Sequence, residues 1–224
     1  MKRLAIVSSF SESCGNAAFT RVLQNSIEQF SDIKVEVVEL NLQLLQSTAN
    51  VVRRKADKHI DELCTRLSEF DAVNLQLEAG LYGTVPKDIV SRVTKLMQAN
   101  RVTTVTMHSP RLKSATNYGF REGIKNLLRL KLITGASQIL DELRGNVHVN
   151  INRKMIKAAE RMGHRLIVHT KRASDQIRIF FDYENTSIHP LKIVPEGFAP
   201  DGAVLNQIKH ELGFKKSDIL IGVF

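Results

Sequence analysis

Tryptophan is absent and aromatic residues make up 6% of the chain. A surface that reads single-stranded nucleic acid by stacking successive bases therefore lacks its main ingredient, and no aromatic stripe interleaves the basic residues. Cysteine occurs twice, at Cys14 and Cys64, without the paired spacing of a zinc site or the dense usage of a secreted disulfide scaffold. Both read as thiols, and Cys64, on the apolar side of a helical pattern, as a small buried hydrophobe. No apolar run approaches the roughly 20 residues a membrane span needs, and the opening Met1 to Val7 is too short for a signal peptide. The default expectation is a cytoplasmic location. A G-x-G-x-x-G fingerprint and a C-x-x-C pair are also missing, which disfavours classical dinucleotide binding and thiol redox chemistry. Neither internal repeats, low-complexity tracts nor heptads appear, and no metal or cofactor is expected.

What the chain does have is positive charge. Lys and Arg number 32 against 23 Asp and Glu, a net +9 over 224 residues. That balance attracts phosphates, anionic lipid headgroups or nucleic acid without choosing among them. The length and apolar fraction allow one principal core.

Along the chain, strand and helix patterns alternate. Leu4 to Val7 is a continuous apolar run of the kind a buried parallel strand shows, ending in a small-residue loop from Ser8 to Gly15. Phe19, Leu23, Ile27 and Phe30 recur at helical spacing, and Ile33 to Leu40 alternates as a strand. Ala56, Ile60, Leu63 and Leu67 share one helical face, Ala72 to Leu77 is extended, Ile89, Val93 and Leu96 mark a helix, and Val102 to Met107 a strand. Further helices are marked by Phe120, Ile124, Leu127 and Leu128, by Ile151, Met155, Ile156 and Ala159, and by Ala173, Ile177 and Phe180. Between the last two lies the strand Leu166 to Val168. Parallel neighbours need crossover connections, so this alternation predicts a doubly wound, Rossmann-like parallel sheet with helices on both faces.

Three stretches are less regular. Gly135, Ser137 and Gly145 break the periodicity of Leu132 to Val149, which reads as a mobile loop. Ile193 to Pro200 reads as a strand end passing into a linker. Val204, Ile208 and Leu212 then mark a short helix capped by Gly213, and Asp218 to Phe224 a further apolar strand. The expected division is residues 1–198 as the main domain and 199–224 as a linker and the first strand of a second.

Ligands of open parallel sheets gather at the carboxyl ends of the strands, so the residues after each strand carry the chemistry. After the first strand come Cys14-Gly15-Asn16-Ala17-Ala18-Phe19-Thr20: either a tight turn, or a place where Gly15 lets backbone approach a diphosphate at a helix N-terminus. After the third come Glu78, Gly80, Tyr82 and Gly83, with Glu78 a cleft carboxylate or a helix-dipole partner. His108 follows the fourth strand, where an imidazole can donate to a sugar hydroxyl or shuttle a proton. His169 and Thr170 follow the strand at 166–168, and there the reading of helix initiation, with Thr170 as N-cap, is preferred. Arg111, Lys113, Arg121, Lys125, Arg129 and Lys131 surround an amphipathic helix, either a solvated cationic face or a surface for an anionic membrane.

Taken together, Cys14 to Thr20, Leu75 to Gly83, Thr106-Met107-His108, Val168-His169-Thr170 and Val194-Pro195-Glu196-Gly197 resemble, in order and spacing, the N-terminal domain of family 4 (group 1) glycosyltransferases of the GT-B fold. The resemblance covers nearly the whole chain. It implies transfer of a sugar from a nucleotide-diphosphate donor to a glycan or lipid acceptor, as in polysaccharide biosynthesis. The N-terminal domain would mainly hold the acceptor. Carried over, His108 would be catalytic, Gly15, Asn16, Glu196 and Gly197 would meet the donor, and Glu78, Gly80, Tyr82 and Thr170 would line the acceptor cleft. The family's donor-binding C-terminal domain, with its pair of glutamates, is missing, so the chain by itself is expected to transfer little sugar. Position 196 is Glu where the family commonly has His. The alternative is a non-catalytic module that docks on an anionic membrane or a partner protein; a nucleic-acid partner is not expected.

Overall fold

In the computed structural model, residues 2–11, 15–112, 118–129, 131–191, 202–211, 213 and 215 are described. Six strands form one sheet, all parallel: β1 (Lys2–Ser8), β2 (Ile33–Glu39), β3 (Ala72–Leu77), β4 (Thr103–Met107), β5 (Arg165–Val168) and β6 (Thr186–Ile188), in the order β2-β1-β3-β4-β5-β6. The helices are α1 (Gly15–Phe30), α2 (Leu42–Leu45), α3 (Asn50–Leu67), α4 (Pro86–Gln98), α5 (Tyr118–Leu128), α6 (Leu132–Met162), α7 (Lys171–Phe181) and α8 (Gly202–Glu211), with a 3₁₀ turn at Ala79–Leu81. The fold is the expected doubly wound, Rossmann-like α/β arrangement.

Local chemistry sets the element ends. Pro86 opens α4, where a missing amide proton costs nothing, and Val85 before it is extended as a residue preceding proline must be. The Thr170 side chain accepts from the Ala173 amide and so starts α7. Gly163, at φ 70°, closes α6 as the amide of His164 reaches back to the carbonyl of Ala159.

The two faces of the sheet are covered differently. Ala5, Val7, Val73, Leu75, Leu77, Val105, Met107, Leu166 and Val168 pack into one core with the apolar faces of α3, α4, α6 and α7. The opposite face presents Ile6, Asn74, Thr104, Thr106 and Ile167, which with Phe19, Leu23 and Ile27 of α1 line a cavity of about 290 Å³. Right-handed crossovers explain the division, because β1 to β2 runs one way along the sheet and every later connection runs the other.

The core face is locked by Arg92, whose side chain is 2% exposed. Its Nε donates to Asp57 at 2.7 Å, Nη1 to the carbonyls of Tyr82 and Leu45, and Nη2 to the carbonyl of Arg53. One buried guanidinium, with its donors matched, therefore ties α2, α3, α4 and the loop after β3 together. Gly83 lies against it at φ +154°, and a Cβ there would come 3.0 Å from Nη1.

Two departures from the sequence reading stand out. Leu132 to Val149 is not a mobile loop but part of α6, a single helix of 31 residues. Gly135 and Gly145 each cost the helix about 1 kcal/mol, a penalty carried by the packing of its second half, where Val149, Ile151, Met155, Ile156, Ala158 and Ala159 are buried. β6 carries no apolar alternation, since Thr186-Ser187-Ile188 gains its strand conformation from pairing with β5. Chain contacts divide into two units, Met1–Leu191 and Lys192–Phe224. In the second, α8 covers Val204 and Ile208 of the expected helix and Gly213 takes the left-handed φ of +77°; Leu212, the expected linker at 193–200 and the strand at 218–224 lie outside the described residues.

Candidate active site at the carboxyl end of the sheet

The chain's direction along the sheet reverses between β1 and β3, and beyond the carboxyl ends of strands at such a switch point is where open parallel sheets bind ligands. Register fixes what stands beside it. Leu77 pairs with Met107, Met107 with Val168, and Val168 with Ile188. The residues that follow these aligned strand ends are Glu78, His108, His169 and His189, so four separate loops deliver a carboxylate and three imidazoles in one row.

His108 is half-buried and its ring is fully engaged. Nε2 lies 2.7 Å from Gln76 Oε1 and Nδ1 lies 3.2 Å from Nε2 of His169, whose Nδ1 lies 2.7 Å from the carbonyl oxygen of His189. Phe19 of α1 packs edge-on against both rings, at centroid distances of 5.1 and 5.6 Å. Behind the pair, the Gln76 amide donates to Asn74 Oδ1, and the Asn74 amide donates to the hydroxyls of Thr104 and Thr106 at 2.8 and 3.0 Å. This polar ladder runs across the sheet beneath the imidazoles, and Gln76 and Thr106 are buried.

With the amides of Asn74 and Gln76 as they stand, Gln76 Oε1 accepts from the His108 ring and the His189 carbonyl from the His169 ring. With both amides reversed, Gln76 would donate to His108 instead, so the tautomer of His108 is tied to the orientation of two buried amides. Burial, and then the neighbouring His169, lower the His108 pKa from 6.5 to about 4.

A polar pocket of about 160 Å³, which neither imidazole lines, lies at the same end of the sheet among Glu78, Ser109, Arg111, His148 and Asn152. Burial raises the Glu78 pKa, while the charges of His148 and Arg111 pull it down. The pocket offers a carboxylate acceptor beside cationic and amide donors, a set suited to polar hydroxyl compounds.

The remaining expected residues are distributed as follows. Gly15 and Asn16 open α1, and Thr20 of that helix bonds to the Asn16 carbonyl and to the Ser8 hydroxyl, fixing the helix to the end of β1. A Cβ at Gly15 would meet nothing within 4 Å, and neither would one at Gly80. The Gly80 carbonyl instead accepts from Gln46. Tyr82 is a correction: it does not line the cleft but is fully buried in the core, its hydroxyl donating to the Gln76 carbonyl at 2.8 Å, because the 3₁₀ turn folds the loop back over the apolar face. Thr170 is occupied as the N-cap of α7. Glu196 and Gly197 lie outside the described residues.

Sequence reasoning passed over His169, Gln76, Arg111 and His148 as site residues. The signal for His169 was present, since an imidazole directly follows each of two apolar strands. Only the strand register shows that those two positions are neighbours. Among the described residues, no group of three or more potential ligands is arranged to hold a metal.

No family model matches the chain, and no curated protein matches it. Among solved structures, the chain is similar to the 3-alpha-hydroxysteroid dehydrogenase from Pseudomonas sp. B-0831 complexed with NADH, at 17% identity over 75% of this chain and 77% of that one, with a TM-score of 0.36.

Proposed function

We propose that the chain is the acceptor-side domain of a sugar-nucleotide-dependent glycosyltransferase, with the crevice at the carboxyl end of the sheet as its reaction site. The observation that carries this reading is the His108–His169 pair at the carboxyl ends of β4 and β5. A nucleoside diphosphate leaving a sugar develops negative charge, and the half-buried imidazole pair at the carboxyl ends of β4 and β5 would offer it an N–H donor once a ring nitrogen leaves its present partner. His108, kept neutral by its depressed pKa, would bond a sugar hydroxyl by exchanging one of its present partners, Gln76 or His169, for it. Glu78 and the pocket formed with Arg111, His148 and Asn152 would hold the acceptor. The resemblance in the loops after β1, β3, β4 and β5 supports the same assignment, and a second, donor-binding domain would complete the site.

The test is an NMR titration of the histidine ring nitrogens with UDP-glucose, GDP-mannose and, as a control, NADH. Nucleotide sugars are expected to shift His108 and His169 at millimolar concentrations. Silence toward every nucleotide sugar, or a stronger response to NADH, would overturn the proposal. The domain alone is expected to show no robust sugar transfer.

A further inference from the structure

The connection between β4 and β5 is longer than a crossover requires. α5 and α6 form a helical hairpin, clasped by the bond of Asn126 to Gln138 at 2.9 Å and by the Lys131 amide to the Asn126 carbonyl. α6 spans about 46 Å at 1.5 Å per residue, yet its core contacts begin only at Val149. The preceding half of the helix supports the hairpin.

Among the described residues at the turn, the large apolar side chains are bare: Leu128 is 80% exposed, Leu132 61% and Ile133 89%. Arg121, Lys125, Arg129 and Lys131 are exposed around them, Lys125 also pairing with Glu122 at 2.6 Å. Exposed Leu140, Leu143 and Val147 continue from Ile133 along α6.

We propose that the turn of this hairpin inserts into the surface of an anionic phospholipid bilayer. Three large aliphatic side chains at one turn supply the apolar wedge, and four basic residues, three along the α5 side and Lys131 just before α6, match anionic headgroups. A second copy of the chain is the weaker occupant. The line from Ile133 to Val147 amounts to two heptads, short of the three or four a coiled-coil seam requires, and the barest residues sit at the turn rather than along the helix. No helix among the described residues is long and apolar enough to cross a membrane, so the contact would be peripheral. This inference is independent of the glycosyl-transfer reading.

The experiment is flotation of the full chain with phosphatidylcholine vesicles, with and without phosphatidylglycerol, at low and high salt. Binding is expected to anionic vesicles, falling on the order of tenfold at high salt or on neutral vesicles. Ile133→Asp with Leu132→Asp should abolish it with an unchanged circular dichroism spectrum, since both side chains are exposed. Arg129→Gln and Lys131→Gln should each weaken it about fivefold. Equal binding to neutral vesicles, no binding at all, or binding untouched by either set of variants would overturn the proposal. So would a concentration-dependent dimer, seen by light scattering, that Ile133→Asp dissolves.

Discussion

The two faces of the sheet make different uses of the same strands. On the face covered by α3, α4, α6 and α7, the inward residues of β3 are Val73, Leu75 and Leu77, all buried in a continuous apolar core. On the α1 side the intervening residues are Asn74 and Gln76, buried to a similar degree but joined to Thr104, Thr106 and His108 by hydrogen bonds. Alternation along a single strand thus separates stability from chemistry by one residue. The apolar face can carry the free energy of the fold, which leaves the other free to hold a polar ladder whose worth lies in its proton arrangement.

The sharpest way to break this comparison is to empty the apolar face. Leu75→Ala should cost about 3 kcal/mol by losing buried area and leaving a cavity, with the crevice histidines keeping their NMR signals until the chain unfolds. Arg92→Met should cost a similar amount, about 3 kcal/mol, because three carbonyls lose their donor in the core. Urea melts of both variants measure the loss. On the polar face, Gln76→Leu keeps the volume but removes the acceptor of His108 Nε2, with an expected cost of about 1–2 kcal/mol. Its distinctive readout is the ring ¹⁵N spectrum, where the tautomer of His108 should change once Nε2 has lost its partner.

Acid sharpens the contrast further. His108 takes a proton near pH 6.5 when unfolded and only near pH 4 when folded. The unfolded chain therefore binds more protons in that window, and stability is expected to fall as pH drops from about 6.5 toward 4. A melting series over that range should show a shallower decline for His108→Gln than for the parent chain; equal slopes would remove His108 as the cause. Two glycines in the loop after β3 should respond differently, the second giving the smallest effect. Gly83→Ala should cost about 2 kcal/mol, as a side chain there meets the Arg92 guanidinium in a strained conformation. Gly80→Ala, with open space around its Cβ, should stay within about 0.5 kcal/mol by thermal melt.

Much of this architecture is legible in the order of residues. Apolar runs and helical spacings mark five of the six strands and most of the helices, because burying an element imposes its own period on the sequence. The ends are legible too, as with Thr170 before α7 and Gly213 after α8, because capping is local chemistry. The outer half of α6 was not legible: its glycines argue for a loop, and the helix persists because the same rod is anchored further on by Ile151, Met155 and Ile156.

For the site, the sequence by itself determined which residues stand just after strands, and so placed His108 and Glu78 at the ligand-facing end. Tertiary structure alone decided their partners. That Met107 aligns with Val168, bringing His108 beside His169, depends on strand register, and that Tyr82 turns into the core depends on where its loop finds space. Register and loop packing are contacts between residues distant in the chain, 61 positions apart for the two imidazoles. A periodic pattern records which side of an element is buried, but not which residue lies across from it.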